Sequence, residues 1–348
     1  VSATLVSIMI SIPLLFAPFR ALIGFRSDNH NSNLGWRRVP YIWMGTLMQF
    51  GGLAVMPFAL LVLSGSGQAN QAPAWVGQML LGMMISALIF GALLSDYSPG
   101  RLIQVIQASA VITLVLNVTA LWQQESRDRR RTIPETPTTF QSAWATFSHS
   151  GQALRRLVAV GCGTMAFNME EVLLEPFGGE ILQLSVGTTT ALTATLAMGG
   201  LSGFAIASYV LGRGHDPFRM ATLGAMVGIP AFLAVIVSAS EQSTWLFVLG
   251  TGLIGLGSGL FGHGTLTATM NAAPPDQTGL AMGACGAVQA TAAGLAIALG
   301  GVIRDTVASQ SSPVMGYTSV YALEVLLLIA TIVAMAPLLR RNPSPLSA

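Results

Sequence analysis

Long apolar runs separated by short polar segments repeat along the whole chain. A helix that crosses a lipid bilayer needs roughly 20 mostly apolar residues, and ten runs meet that requirement. The runs are continuously apolar, without the alternation that a membrane β-barrel shows, so we expect helices. The pattern predicts an all-α polytopic membrane protein with about ten helices represented in this chain. The predicted spans are 2–25, 39–63, 75–95, 101–122, 155–182, 188–211, 217–238, 244–271, 278–303 and 318–339.

Composition agrees with this prediction and argues against two other classes of protein. Hydrophobic residues make up 52% of the 348 residues and charged residues 9%. The 16 basic residues are all arginines in separate short segments, so we expect no continuous basic surface for nucleic acid. Cys162 and Cys285 lie in apolar runs without ligand-like spacing, which argues against a disulfide framework and a zinc site.

The arginines predict the orientation of the chain, because basic residues stay on the cytoplasmic side of a membrane. The connection 64–74 carries no charge, and near 304–317 we expect Asp305 to pair with Arg304 and neutralise it, so both connections are expected outside. The C-terminus is expected in the cytoplasm. The arginine-rich segments, all expected on the cytoplasmic side, are 20–38, 123–156, 212–219 and the tail from Arg340.

These orientations are consistent with one another in the second half of the chain but not in the first. Three predicted spans separate the cytoplasmic segment 20–38 from the arginine-rich loop 123–156. An odd number of crossings would leave that loop outside. We therefore predict that a stretch is missing between Gln78 and Met79, and that a first helix precedes Val1. With both restored, six helices precede the loop and six follow it, which is the layout of the major facilitator superfamily.

Three domains follow from this layout. They are an N-terminal helix bundle at 1–122, a cytoplasmic linker at 123–154 and a C-terminal six-helix bundle at 155–348. Aromatic residues recur at helical spacing within 140–147, which predicts an amphipathic helix on the membrane surface. Docking of another protein to this helix is the open alternative.

The segment 20–38 contains a distorted form of a turn motif found in major facilitator transporters. Gly35 stands farther from Asp28 than that motif expects. The motif could act as a transport gate or as a basic anchor that closes a turn, and the spacing favours the anchor. The motif residues are Gly24, Arg26, Asp28, Gly35, Arg37 and Arg38.

Five stretches of the chain form long and unusual sequence motifs. They are Phe19–His30, Gly35–Trp43, Phe90–Leu94, Ser98–Gln107 and Glu171–Gly179. Together these stretches resemble the PucC/LhaA-type bacteriochlorophyll delivery family, a branch of the major facilitator superfamily. The resemblance covers most of the chain.

The resemblance implies a role in photosynthesis. Members of this family are membrane proteins of phototrophic bacteria that assist assembly of light-harvesting complexes and are thought to bind or hand over (bacterio)chlorophyll. It implies bacteriochlorophyll or chlorophyll as cofactor, no nucleotide, and a place in the bacterial inner, intracytoplasmic photosynthetic membrane. The implied partners are antenna polypeptides, a reaction-centre complex or a pigment-synthesis enzyme, and the lipid bilayer, but no nucleic acid.

Polar residues also occur inside the apolar run 155–182. Their steps of four, three and four place them on one face of a continuous helix. Carboxylates inside a membrane are costly, so they line a cavity, pair with a cation or relay protons. This face could hold a proton, a transported substrate or a pigment. Its residues are Thr164, Asn168, Glu171 and Glu175.

An ion pair between the two halves of the protein is an alternative role for these carboxylates, with Arg20 and Arg101 as candidate partners. Glu170 is expected to project from a different face, and Glu180 to lie at the outer interface. Pro176, with Gly178 and Gly179, is expected to break or kink the outer end of this helix, because proline removes a backbone hydrogen bond.

His263 is the histidine, of the four in the chain, that falls within an apolar run. A neutral imidazole can supply the axial ligand to the magnesium of a chlorin. The surrounding segment 250–264 is rich in glycine, which would admit a flat partner closely. The alternative is close packing between helices, which small residues also permit.

The chain contains none of the short motifs of nucleotide-binding or hydrolytic enzymes, and we expect no enzymatic activity. Three functions stay open: a pigment-handling assembly factor for light-harvesting complexes, a proton-coupled carrier that uses Glu171 and Glu175, and a structural subunit of a photosynthetic complex.

Overall fold

A computed structural model describes residues 2–15, 17–28, 43–44, 99–121, 139–149, 153–272 and 278–339. Every regular element within these ranges is helical. The predicted span 75–95 and the predicted junction at Gln78 lie outside the described residues. The chain divides into two compact units, one formed by 1–25 with 138–348 and the other by 26–137.

The unit 26–137 contributes one long described helix, α3 (Pro99–Leu121). It lies where the apolar run 101–122 predicts a span. Large apolar side chains such as Ile112 and Leu116 are exposed on it, as expected for a helix that faces lipid.

The first predicted span, 2–25, forms two helices, α1 (Ala3–Leu15) and α2 (Phe19–Asp28). The break lies beside Pro18, whose ring lacks the backbone N–H that a continuous helix needs. Because α2 runs to Asp28, the first part of the predicted polar turn 20–38 is helical.

The linker helix predicted from its aromatic spacing is confirmed as α4 (Phe140–His149). Its rings contact one another, with centroids 6.2 Å apart for Phe140 and Trp144 and 5.7 Å apart for Trp144 and Phe147. Phe140 also meets Phe25 edge-on at 5.6 Å. The aromatic face therefore packs partly on the start of the chain, while its contact with the membrane stays a prediction.

The second half contains six segments that are long and apolar enough to cross a membrane, as the sequence predicts. The first is divided into α5 (Ala153–Ala166), a short 3-10 turn (Glu170–Val172) and α6 (Leu174–Glu180). The other five are α7 (Val186–Leu211), α8 (Pro217–Glu241), α9 (Thr244–Ala272), α10 (Thr278–Gln310) and α11 (Pro313–Leu339).

The connection predicted at 304–317 is mostly wrong, because the helices extend across it. Helix α10 continues to Gln310 and α11 begins at Pro313, so Arg304 and Asp305 lie within α10. The turn before α8 agrees better with its prediction. Asp216 caps that helix by accepting a hydrogen bond from the backbone N–H of Phe218 at 2.8 Å.

The glycine-rich segment 250–264 packs α9 between two other helices. A methyl group added at Gly257 would lie 2.8 Å from the carbonyl oxygen of Gly224 on α8. A methyl group at Gly259 would overlap the carbonyl oxygen of Gly200 on α7. Close helix packing, the alternative role predicted for this segment, is therefore what these glycines provide.

Helix α1 runs antiparallel along α10. At one end the backbone N–H of Thr4 donates to Asp305 at 2.8 Å, and further along Ser7 packs on Gly301. At the other end Arg20 donates to the carbonyl oxygen of Gly286 at 3.4 Å. A helix from the first half of the sequence is thus part of the second-half bundle.

Arginines gather at the end of this bundle where α5 and α8 begin. Arg155 donates to the carbonyl oxygen of Ala334 at 3.0 Å, near the end of α11. Arg156 stacks over Phe218 with its guanidinium 5.7 Å from the ring centroid. Arg20, at the start of α10, lies at this end as well, which agrees with the prediction that these arginines share one side of the membrane.

Candidate functional site

The helix predicted over 155–182 is interrupted where its polar residues begin. The side-chain amide of Asn168 donates to the carbonyl oxygen of Thr164 at 2.6 Å, and its backbone N–H bonds to Met165 at 3.3 Å, one residue closer than in an α-helix. A side chain that takes the backbone acceptor of the preceding turn competes with helix geometry. The helix therefore tightens and ends here.

Glycine on a neighbouring helix accommodates this interruption. A methyl group added at Gly300 of α10 would lie 2.8 Å from the carbonyl oxygen of Met169. The irregular backbone at Met169 can approach α10 this closely because Gly300 has no side chain.

Because the helix is interrupted here, the prediction that these polar residues share one face is wrong. Glu171 is exposed, and Glu175 accepts a hydrogen bond from the hydroxyl of Thr193 on α7. Glu170, predicted to project elsewhere, is instead the carboxylate of this segment that turns inward, with 3% of its surface exposed. Pro176 lies inside α6, which ends at Glu180, so the predicted break does not fall at Pro176 itself, and a kink there stays a prediction.

Glu170 faces a second buried carboxyl group, Glu324 on α11. Glu324 is fully buried, and the two carboxyl groups act on each other electrostatically. Glu324 is not among the site residues predicted from the sequence. The signal that could have found it is its position inside the long apolar run 318–339. Burying a carboxylate in a membrane segment is energetically costly, so such a residue is a candidate for a functional site.

A tyrosine completes this cluster. Tyr321 lies one turn before Glu324 on α11, is fully buried and interacts electrostatically with both carboxyl groups. Its ring packs edge-on against Phe177, with centroids 5.6 Å apart, and stacks on Phe232 at 6.4 Å. The polar cluster is therefore enclosed by aromatic side chains.

A second polar cluster lies at the end of the bundle opposite the arginines described above. Arg304 forms ion pairs with Glu180 and, at 2.8 Å, with Asp305. The hydroxyl of Tyr317 donates to Glu180 at 2.9 Å and accepts from Arg304 at 3.0 Å. The pairing of Arg304 with Asp305 expected from the sequence is confirmed, and the cluster joins α6, α10 and α11.

Replacing Arg304 by glutamine is expected to destabilise the bundle by about 1–2 kcal/mol, since it leaves two carboxylates without their cation. The estimate is modest because the side chain of Glu180 is 42% exposed. The thermal unfolding midpoint of the purified protein measures the effect. Arg219→Gln is the matched control, because Arg219 is exposed. Equal midpoints for the two variants would contradict the prediction.

The candidate partner Arg20 bonds to Gly286, as described above, and no ion pair of it with Glu171 or Glu175 is found among the described residues. Of the other candidate partner, Arg101, the structure describes the backbone alone. In the turn motif, Gly24, Arg26 and Asp28 lie in α2. The motif residues Gly35, Arg37 and Arg38 lie outside the described residues.

His263 lies on α9 beside α7 and is partly exposed. Its ring meets Phe204 edge-on, with centroids 5.5 Å apart. At the neighbouring Gly262 an added methyl group would meet its nearest neighbouring atom, Phe204 Cζ, at 3.9 Å, so the surface is open there. Among the described residues no group of three or more histidine, cysteine, aspartate or glutamate side chains could hold a metal ion.

The arrangement of the helices defines the class of protein. The fold is similar to the crystal structure of a bacterial homologue of the iron transporter ferroportin in its outward-facing state. The TM-score is 0.59, the sequence identity is 12%, and the match covers 97% of this chain and 90% of that chain. The protein is thus an all-α, multi-pass membrane protein with a major-facilitator-like fold, and its family is shown by sequence comparison.

The chain belongs to the PUCC protein family, which matches residues 1–80 and 78–343. It is 49% identical to Protein PucC of Rhodovulum sulfidophilum over 371 residues, covering 93% of this chain and 82% of the relative. It is 48% identical to Protein PucC of Rhodobacter capsulatus over 397 residues, covering 98% of this chain and 86% of the relative. A distant relative, 25% identical over 273 residues, is the bacteriochlorophyll synthase 44.5 kDa chain of Rhodobacter capsulatus, with 76% of this chain and 63% of the relative covered.

The two matched stretches meet at residues 78–80, close to the junction that the topology makes suspect. The alignment with the Rhodobacter capsulatus PucC is also longer, at 397 residues, than the 348 residues of this chain. Residues missing between Gln78 and Met79 stay a prediction.

Proposed function

We propose that this protein binds bacteriochlorophyll or chlorophyll and delivers it during assembly of light-harvesting complexes in a photosynthetic membrane. The observation that supports this most is 49% identity to a PucC protein over 93% of the chain. The sequence resemblance described above implies the same role. In this proposal the protein is a binding and assembly factor and not an enzyme.

The surface at His263 fits a chlorin by its chemistry. A bound chlorin would supply a magnesium ion that accepts an axial ligand and a flat apolar ring. The imidazole of His263 has no hydrogen-bond partner among the described residues and is partly exposed, so its nitrogen is available as that ligand. Phe204 and the open surface at Gly262 fit the ring.

Glu171, Glu175, Asn168 and Thr164 have a lesser part in this proposal. Glu175 and Asn168 are engaged by Thr193 and Thr164. The exposed carboxylate of Glu171 is the member of this group that could accept a hydrogen bond from a polar substituent of a pigment.

The proposed partners are antenna polypeptides, with a reaction-centre complex or a pigment-synthesis enzyme as further possibilities. Helix α7 carries the large exposed side chains Met198, Phe204, Ile206 and Tyr209. In a membrane protein such a surface faces lipid or the apolar helices of another membrane protein. The relatives that support this role are those reported above.

Loss of the gene tests the proposal. In a phototrophic host, removing the gene is expected to lower the antenna absorption of its membranes several-fold, and a plasmid copy is expected to restore it. A copy with His263→Leu is expected to restore less. His215→Leu is the matched control, because His215 lies on an exposed turn. Unchanged antenna absorption after loss of the gene would contradict the proposal.

A further inference from the structure

Glu170 and Glu324 form a buried carboxyl pair for which the pigment-handling role has no use. We propose that this pair is a proton-binding site, at which the two carboxyl groups share one proton. The proposal stands on the geometry of the second-half bundle and does not depend on whether the protein binds a chlorin.

The two glutamates come from elements that pack together inside the bundle. Glu170 lies in the 3-10 turn between α5 and α6, and Glu324 lies near the middle of α11. They are 3% and 0% exposed. Glu170 Oε2 and both carboxyl oxygens of Glu324 have no hydrogen-bond partner among the described residues. A shared proton would allow one carboxyl group to donate to the other.

The hydroxyl of Tyr321 is a third polar group at the same site. The hydroxyl of Tyr321 is buried and also lacks a hydrogen-bond partner among the described residues. Tyr321 and Glu324 are three residues apart on a helix, so they share one face. The hydroxyl interacts electrostatically with Glu170 and Glu324, so it is a third buried polar group near the pair.

The charges around the pair favour protonation of one of the two carboxyl groups. Of the charged groups on the elements packed against it, Glu171 adds a further negative charge to Glu170. Arg304 of α10 acts on Tyr321 but is bound to Glu180 and Asp305. The described part of α1 up to Leu15 and the facing side of α8 at Phe232 bring no charged residue. Two carboxylates this close in an apolar site cannot both stay ionised without a cation, and sharing a proton removes the conflict.

A divalent cation fits the site less well than a proton does. Magnesium and calcium require about six or more oxygen ligands. The described residues supply two carboxyl groups and one tyrosine hydroxyl, and no group of three metal-ligating side chains. The experiment must therefore distinguish a protonated carboxyl pair from a carboxyl pair that binds a metal ion.

A polar stripe along α11 connects this pair to the end of the bundle that holds Arg304. Tyr317, Tyr321 and Glu324 follow one another at steps of four and three, which keeps them on one face. The hydroxyl of Tyr317 is already bonded to Glu180 and Arg304. In the other direction the buried face of α11 continues with Leu328 and Thr331, and the hydroxyl of Thr331 donates to the carbonyl oxygen of Leu327 at 2.8 Å.

Infrared difference spectroscopy of the purified full-length protein tests this directly, because a protonated carboxyl group has a C=O stretching band that a carboxylate lacks. The wild-type protein at neutral pH is expected to show this band, with a shift in D2O. The double variant Glu170→Gln/Glu324→Gln is expected to lose it. Each single variant keeps one buried carboxyl group, which stays protonated, so the single variants and Tyr321→Phe are expected to shift the band. Glu241→Gln, at an exposed position, is the matched control and is expected to keep it.

Three results would overturn the proposal. They are a wild-type spectrum without the band, a band that survives in the double variant Glu170→Gln/Glu324→Gln, and a band that disappears when magnesium chloride is added at low concentration, which would indicate a metal site. Should the glutamine variants fail to fold, the wild-type spectrum and Tyr321→Phe still decide the question. None of these readouts requires pigment, so a failure here is separate from a failure of the proposed function.

Discussion

Replacing Gly259 by alanine is expected to destabilise the protein by about 2 kcal/mol, although alanine favours helices more than glycine does. The added methyl group would overlap the carbonyl oxygen of Gly200 on α7. A backbone oxygen cannot rotate away as a flexible side chain can, so α7 and α9 would have to separate. Helices in a membrane associate by close packing, which this separation would weaken.

Gly252 provides the matched control for this substitution. It lies seven residues earlier on α9 and faces the same helix α7, but a methyl group there would meet Thr195 Cγ2 at an ordinary 3.4 Å. Gly252→Ala is expected to leave the stability unchanged or to raise it slightly. Thermal unfolding of the two purified variants measures the difference. Equal midpoints would contradict the close approach of α7 and α9.

Replacing His263 by leucine is expected to remove the chlorin that we propose binds at α9. Leucine keeps the size and apolar character of the position but has no nitrogen to coordinate magnesium. The ring contact with Phe204, with centroids 5.5 Å apart, contributes to packing alone and is expected to cost little when it is lost. The measurement is the molar ratio of extracted chlorin to protein.

His215→Leu is the control for this ratio, and it is expected to match the wild-type protein. A His263→Leu protein that folds normally and keeps the wild-type ratio would show that the chlorin is bound elsewhere. That result would place the pigment site elsewhere in the protein and would leave the proposed function unchanged.

The lengths of the apolar runs predict the six spans of the second half because crossing a membrane requires a minimum length of apolar helix. The arginines likewise predict which helix ends lie together, as Arg20 and Arg155 show. The glycine segment 250–264 permits two interpretations in the sequence. The structure separates them, since Gly257 and Gly259 face neighbouring helices.

The carboxyl pair could not be predicted from periodicity. The face predicted for Glu171 and Glu175 requires one continuous helix over 155–182. The interruption arises from the Asn168 side chain, which bonds to the preceding turn, and from the space that Gly300 leaves on a distant helix. A contact between segments this far apart in the sequence leaves no periodic signal.

The central claim, that this PUCC family protein binds a chlorin, is tested most directly by the absorption spectrum of the gently purified protein. We predict the long-wavelength bands of a magnesium chlorin that co-purifies with the protein at a fixed molar ratio. A preparation that is folded and was purified from pigment-producing cells, yet shows no such bands, would contradict the claim.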